Sequence, residues 1–137
     1  MKVVIDTNVL ISSFFGGKPR KIIDLWFEGK IVLCLSTPIL EEYVKVLSRF
    51  EFNNELLLAR FLNAFEQNDS LLFVNNPEES NWVQEDIADN KFIACARALR
   101  ADFILSGDIH LKQLKEISSI KILSPAEFLK YFKNFRK

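Results

Sequence analysis

The chain has 137 residues, 49% hydrophobic and 26% charged, with a formal net charge of zero. That length suits one domain with a sizeable core, and the composition is that of an ordinary globular protein. Zero net charge excludes the global basic field of many nucleic-acid-binding domains.

Val3-Val4-Ile5, three β-branched residues, predict a buried strand over residues 2–6 that ends in Asp6. Asp6-Thr7-Asn8 is turn and cap chemistry in its plainest reading. Residues 16–21 (Gly-Gly-Lys-Pro-Arg-Lys) read as a short basic loop. Apolar Ile22, Ile23, Leu25, Trp26 and Phe27 then predict a helix from Pro19 that closes at Gly29. Ile31 to Leu35 is a second buried strand. Thr37 as N-cap with Pro38 at the first helical position starts a helix to about Arg49, with Ile39, Leu40, Tyr43, Val44 and Leu47 as its apolar side.

Residues 54–67 predict a further helix burying Leu57, Leu58, Phe61, Leu62 and Phe65, followed by a short strand at Leu71 to Val74. After an acidic connection, residues 89–100 read as a helix with Phe92, Ile93, Ala96 and Leu99 inward. Phe103 to Ser106 is a clear strand broken by Gly107-Asp108, and a short helix follows near His110 to Lys115. Lys121 to Leu123 is a last strand. Ser124-Pro125-Ala126-Glu127 is a capping box that opens a C-terminal helix. Alternating strands and helices imply one α/β domain over residues 1–137, with helices on both faces of a mostly parallel sheet.

Charge is uneven along this order. Residues 61–90 hold seven acids and no Lys or Arg, and residues 91–137 hold ten Lys or Arg against four acids. Such a surface suits a polyanion held through bridging cations, and equally an unevenly charged solvated face. Cys34 and Cys95 lie in apolar runs and read as small buried hydrophobes. With one histidine in the chain, neither a zinc site nor a disulfide framework is expected. A reducing cytoplasm is the expectation; no signal peptide or membrane span is evident.

Four acids fall at element boundaries on one edge of the expected sheet, where strand ends and helix starts meet. They are Asp6, Asp89, Asp108 and one of the Glu41-Glu42 pair. Glu41 lines up with Lys45 and Ser48 on a polar face and can pair with Lys45. Glu42 lines up with Val46 beside the buried stripe and is the better inward candidate. Asp86, three residues before Asp89, is a candidate supporting or additional ligand. Each acid also has a structural reading: Asp89 as an N-cap, Asp108 as part of a Gly-Asp turn. Crowded carboxylates persist if cations neutralise them, and oxygen-only ligands select Mg²⁺ or Mn²⁺ over zinc or copper. Such ions activate water for phosphodiester cleavage.

Asp6 to Leu10, Ser36-Thr37-Pro38 leading to Glu42-Tyr43 and Val46-Leu47, Asp86 through Phe92, Ser106-Gly107-Asp108 and Leu123 to Leu129 together resemble a PIN domain. The likeness is closest to small prokaryotic PIN proteins described as toxins of toxin–antitoxin pairs. It covers nearly the whole chain in the right order. It implies a three-layer α/β/α sandwich and a Mg²⁺- or Mn²⁺-dependent endoribonuclease acting on single-stranded RNA. It carries the catalytic and metal-binding set onto Asp6, Glu42, Asp89 and Asp108, with Asn8 and Ser106 as polar supports. His110 stands where many relatives carry a further acid, which bears on whether one metal or two would bind.

Competing readings differ in what they require. An aspartyl-phosphate phosphatase wants a second aspartate where Asn8 stands. A receiver domain wants a strand-end lysine, and none stands out. A Ser-His-Asp hydrolase would need His110 and a Gly-x-Ser-x-Gly turn that is absent. A non-catalytic binding module would keep the fold and lose the acid set. For a neutral nuclease, cations near the acids must attract RNA. Lys18, Arg20 and Lys21, Lys91 beside Asp89, and Lys112 and Lys115 after Asp108 are the candidates. A protein antitoxin is the partner the resemblance implies, and the Phe-rich helix over residues 54–65 leaves room for a homodimer.

Overall fold

The computed structural model describes residues 1–49, 55–67, 70–79, 82 and 89–135, with backbone only for residues 55–58. Strand β1 (Lys2–Ile5) is followed by α1 (Thr7–Ser13), α2 (Gly17–Phe27), β2 (Val32–Ser36) and α3 (Thr37–Leu47). Next come α4 (Glu55–Gln67), β3 (Leu71–Val74), α5 (Asn90–Leu99) and β4 (Phe103–Leu105). The chain closes with α6 (Ile109–Lys112), β5 (Glu116–Ile117), β6 (Ile120–Leu123) and α7 (Pro125–Phe135).

The six strands form one sheet in the order β3-β2-β1-β4-β6-β5. All pairings are parallel except β5 with β6. Val3, Val4 and Ile5 are fully buried, as a central strand covered on both faces requires. From β1 the chain steps outward to β2 and β3, then returns across the sheet to β4 on the other side of β1. Parallel connections run in opposite directions from the centre, and with the right-handed crossovers general for such connections this puts helices on both faces. They also leave a crevice beyond the ends of β1 and β4, where the strand order reverses and ligands bind in open α/β sheets. α5 packs across β1, β2, β3 and β4, and α2 packs against α7. Trp26 of α2 meets Phe61 and Phe65 of α4 edge-on.

The expected elements are present, with four local differences. The basic segment over residues 16–21 is not a loop, because α2 already begins at Gly17. Two positive-φ glycines, Gly16 and Gly17, make the sharp reversal from α1 into α2. Ser36, not Thr37, caps α3: Ser36 is extended and its hydroxyl accepts from the Ile39 amide, whereas Thr37 is already helical. Val44 and Leu62, both expected on the apolar sides of their helices, are 60% and 54% exposed. Finally, α1 and the two-residue β5 have no counterpart among the expected elements. The run Val9-Leu10-Ile11 has no helical period, and β5 is too short to show alternation. The expected burial of Leu57 and Leu58 lies outside the described residues. Among the described residues no helix is long and apolar enough to cross a membrane.

Candidate active site

Asp6 leaves the central strand with its amide still in the sheet, donating to the Leu105 carbonyl at 3.0 Å. Its Oδ1 accepts from the Val9 amide at 2.8 Å and so caps α1. Its Oδ2 accepts a short hydrogen bond from the Ser106 hydroxyl. Ser106 Oγ in turn accepts from the Asp108 amide at 2.9 Å. One fully buried serine thus ties the ends of β1 and β4 together across the switch point. Asp108 Oδ1 caps α6 through the His110 and Leu111 amides at 2.7 and 3.3 Å. For both aspartates the cap reading and the site reading hold together, since each cap engages Oδ1 alone.

Glu42 reaches the same place from α3. The Thr7 hydroxyl donates a short hydrogen bond to Glu42 Oε2, and Lys91 Nζ pairs with Oε1 at 2.6 Å. The phenol of buried Tyr43 donates to the Ile5 carbonyl, which fixes α3 against the end of β1. Asp89 is 8% exposed, sits one residue before α5 and makes no side-chain cap hydrogen bond. Asp6, Glu42, Asp89 and Asp108 line one pocket of about 190 Å³ together with Thr7, Asn8, Val46 and Phe92. Asp86 lies outside the described residues.

Burial dominates the electrostatics. It pushes the Asp6 carboxyl from 3.8 up to about 6, against the lowering effect of the Ser106 and Val9 hydrogen bonds. Repulsion from Asp108 and Glu42 raises it further. A bound cation would relieve this strain, and four carboxylates supply only hard oxygen donors, which fit Mg²⁺ or Mn²⁺. Among the described residues no three His, Cys, Asp or Glu side chains stand close enough together to hold a metal ion in this arrangement. Lys91 instead neutralises Glu42. His110 Nδ1 lies 3.7 Å from Asp108 Oδ1, outside hydrogen-bond range.

Two contributors escape the sequence reading. Thr7 looks like a cap residue and Tyr43 like one more apolar position, and only the approach of α3 to β1 gives them polar partners. Among the described residues, Lys91 is the one expected RNA-binding cation that pairs with a site acid, Glu42. Lys18, Arg20, Lys21, Lys112 and Lys115 do not line the acid pocket. Arg20 is committed to the end of α1, donating from Nε to the Ser13 carbonyl at 2.6 Å and from Nη2 to that of Phe14 at 3.0 Å. Lys112 pairs with Glu127 at 3.1 Å.

A doubly wound sheet with carboxylates gathered at its switch point defines an open α/β domain with an acidic candidate site. Comparison with known proteins narrows this further. The PIN domain profile matches residues 2–110, and the chain belongs to the PIN domain family. It is 38% identical to the uncharacterized protein MJ1680 of Methanocaldococcus jannaschii, covering 98% of this chain and 94% of that protein. No solved structure matches the chain. PIN domains are in general nucleases, and they typically use divalent metal ions.

Proposed function

We propose that this chain is a Mg²⁺- or Mn²⁺-dependent endoribonuclease that hydrolyses phosphodiester bonds of single-stranded RNA. The observation that carries the reading is the convergence of Asp6, Glu42, Asp89 and Asp108 on one pocket at the switch point. A divalent ion held there would activate water and stabilise the leaving oxygen. The chain's own groups do the rest. Ser106 holds the Asp6 carboxylate through Oδ2 and fixes the Asp108 backbone, so two acids from two strands keep one relative position. Thr7 holds the Glu42 carboxylate from the start of α1. Lys91 pairs with the other oxygen of the same carboxylate, Oε1, and so holds Glu42 from the side of α5. The toxin role rests on the resemblance to small prokaryotic PIN proteins, and a small DNA-binding protein encoded beside this chain would support it.

Incubation of the pure protein with a labelled single-stranded RNA tests the reaction. Cleavage is expected with Mg²⁺ or Mn²⁺, none with chelator, and a loss of about a hundredfold or more in Asp6→Asn, in which the acid set is incomplete. An Asp6→Asn protein that cuts as fast as the parent would end the acidic-site reading. A parent that binds RNA but does not cut it with either ion would be a binding module.

A further inference from the structure

Beside the acid pocket lies a second and larger one, about 380 Å³, and the two share Glu42 and Val46. Its lining includes Lys45, Arg49 and Lys91 together with Glu41 and Glu42. Helical spacing makes this wall. Positions 42, 45, 46 and 49 follow one another at three and four residues and so form one stripe. Ile39 and Tyr43 face the core instead. Arg49 extends the stripe into the turn that closes α3, where its amide bonds the Val46 carbonyl.

The cations of this pocket are differently engaged. Lys91 is paired with Glu42, whereas Lys45 and Arg49 join no ion pair with any described residue. The Glu41–Lys45 pair that the spacing permits is not formed among the described residues. Basic residues at the end of a helix are favourable for its dipole alone. The dipole, however, gives no reason for them to border a pocket continuous with four carboxylates. A chain of zero net charge has to overcome local repulsion before a phosphodiester can approach those acids. Uncommitted cations next to the acids do this most directly, because attraction and repulsion of a strand then act over the same short range.

We propose that the second pocket is the subsite for the stretch of single-stranded RNA adjoining the scissile bond, with Lys45 and Arg49 on its phosphates. Lys45 in the last turn of α3 and Arg49 in the turn that closes it stand one after the other along the pocket wall, so each can take a different phosphate of an extended strand. Val46, common to both pockets, offers an apolar surface to the nucleoside between them. Lys91 stands at the seam, held by Glu42. This inference rests on the nuclease reading above and adds the direction in which the strand leaves the acids, along α3 rather than over α2.

The test uses the full chain carrying Asp6→Asn, which retains RNA uncut, and a fluorescent uridine octanucleotide followed by anisotropy between about 50 and 200 mM salt. Adding Lys45→Gln and Arg49→Gln together should weaken binding about tenfold at the low end. It should also flatten the logarithmic salt slope by about 1.4, as expected for two lost contacts to a single strand. Exchanging the charges in kind, Lys45→Arg with Arg49→Lys, should restore the slope. Lys30→Gln, at the opposite edge of the sheet and paired with Glu28, should change neither quantity. An unchanged affinity and slope in the double glutamine variant would overturn the subsite. If the otherwise unaltered parent still cuts RNA, the nuclease reading survives that result. A parent that neither binds nor cuts single-stranded RNA would remove both.

Discussion

Replacing Asp6 by asparagine should make the metal-free protein more stable, and by an amount that depends on pH. The Asp6 carboxyl is 4% exposed and raised from 3.8 to about 6. Between those values the folded chain holds more proton than the unfolded one. Stability is therefore greatest below the lower value and falls as pH climbs through the upper one. Fully ionised, the buried carboxylate costs about 3 kcal/mol relative to its protonated form. Asparagine does not titrate. Its amide oxygen can still accept from the Val9 amide and its NH₂ group can face Ser106 Oγ, so the shape and most hydrogen bonds persist. The variant should therefore match the parent within about 1 kcal/mol at pH 4 and exceed it by about 2–3 kcal/mol at pH 8. At this chain length that corresponds to about 10 °C in Tm. Circular dichroism melts with chelator present, at a series of pH values, give the comparison directly. Added Mg²⁺ should raise the parent's Tm and narrow the gap, since the cation relieves the same repulsion. Parallel pH profiles for the two proteins, or a less stable variant at pH 8, would refute the picture of a desolvated carboxylate crowded by Asp108 and Glu42.

Two further outcomes concern the frame around the site. Arg20→Ala should cost about 1–3 kcal/mol in urea unfolding, because it removes charged donors from the Ser13 and Phe14 carbonyls. Arg20→Lys should recover only part of that loss, since an ammonium cannot span both carbonyls as a guanidinium fork does. Ser124→Ala should cost about 1 kcal/mol at neutral pH by opening the capping box. It should also flatten the acid limb of the stability curve in part, since alanine keeps the backbone amide, the largest of the groups that lower the Glu127 carboxyl. The backbone amide and hydroxyl of Ser124 hold the Glu127 carboxyl down at about 2, so its stabilisation is lost as pH falls from 4.5 toward that value.

How much of this was legible in the residues depends on the range of the interaction involved. Val3-Val4-Ile5 and Phe103-Ile104-Leu105 announce buried strands because continuous β-branched and aromatic runs have few other uses. The Ser124–Glu127 box is visible because both partners lie within four residues. The one-residue error at Ser36 arises because Ser36 and Thr37 are both good caps, and only the Thr37–Asn75 contacts, made across the chain, set the phase. Asp6, Asp89 and Asp108 stand out by their places at element ends. Choosing Glu42 over Glu41 needed only helical phase, and the structure turns Glu42 to Thr7 and Lys91. Thr7 and Tyr43, by contrast, have partners at 35 and 38 residues' remove, and no local pattern encodes such a meeting. The same holds for Arg20, whose guanidinium is drawn to the end of α1 by a reversal at Gly16 and Gly17 that the sequence read as a free basic loop.

The order of the strands has a bearing on biosynthesis. β1 is made before the other five strands and occupies the middle of the sheet, yet its second neighbour, β4, is about a hundred positions behind it: the bond from Ser106 to Asp6 spans 100 residues. A nascent chain can pair β1 with β2 early, but one side of the central strand stays open until residues 103–106 have emerged. Long-range parallel pairing of this kind closes slowly compared with local helix formation. Through most of translation Asp6 has no Ser106 to hold it and no Asp108 beside it. A chain clipped just before β4 would thus carry Asp6, Glu42 and Asp89 on a sheet that ends at β1, without Asp108 and without the Ser106 hydroxyl that holds Asp6. The pocket of four acids therefore comes together only after the strand that completes the centre of the sheet has emerged, because its last carboxylate, Asp108, follows directly on β4.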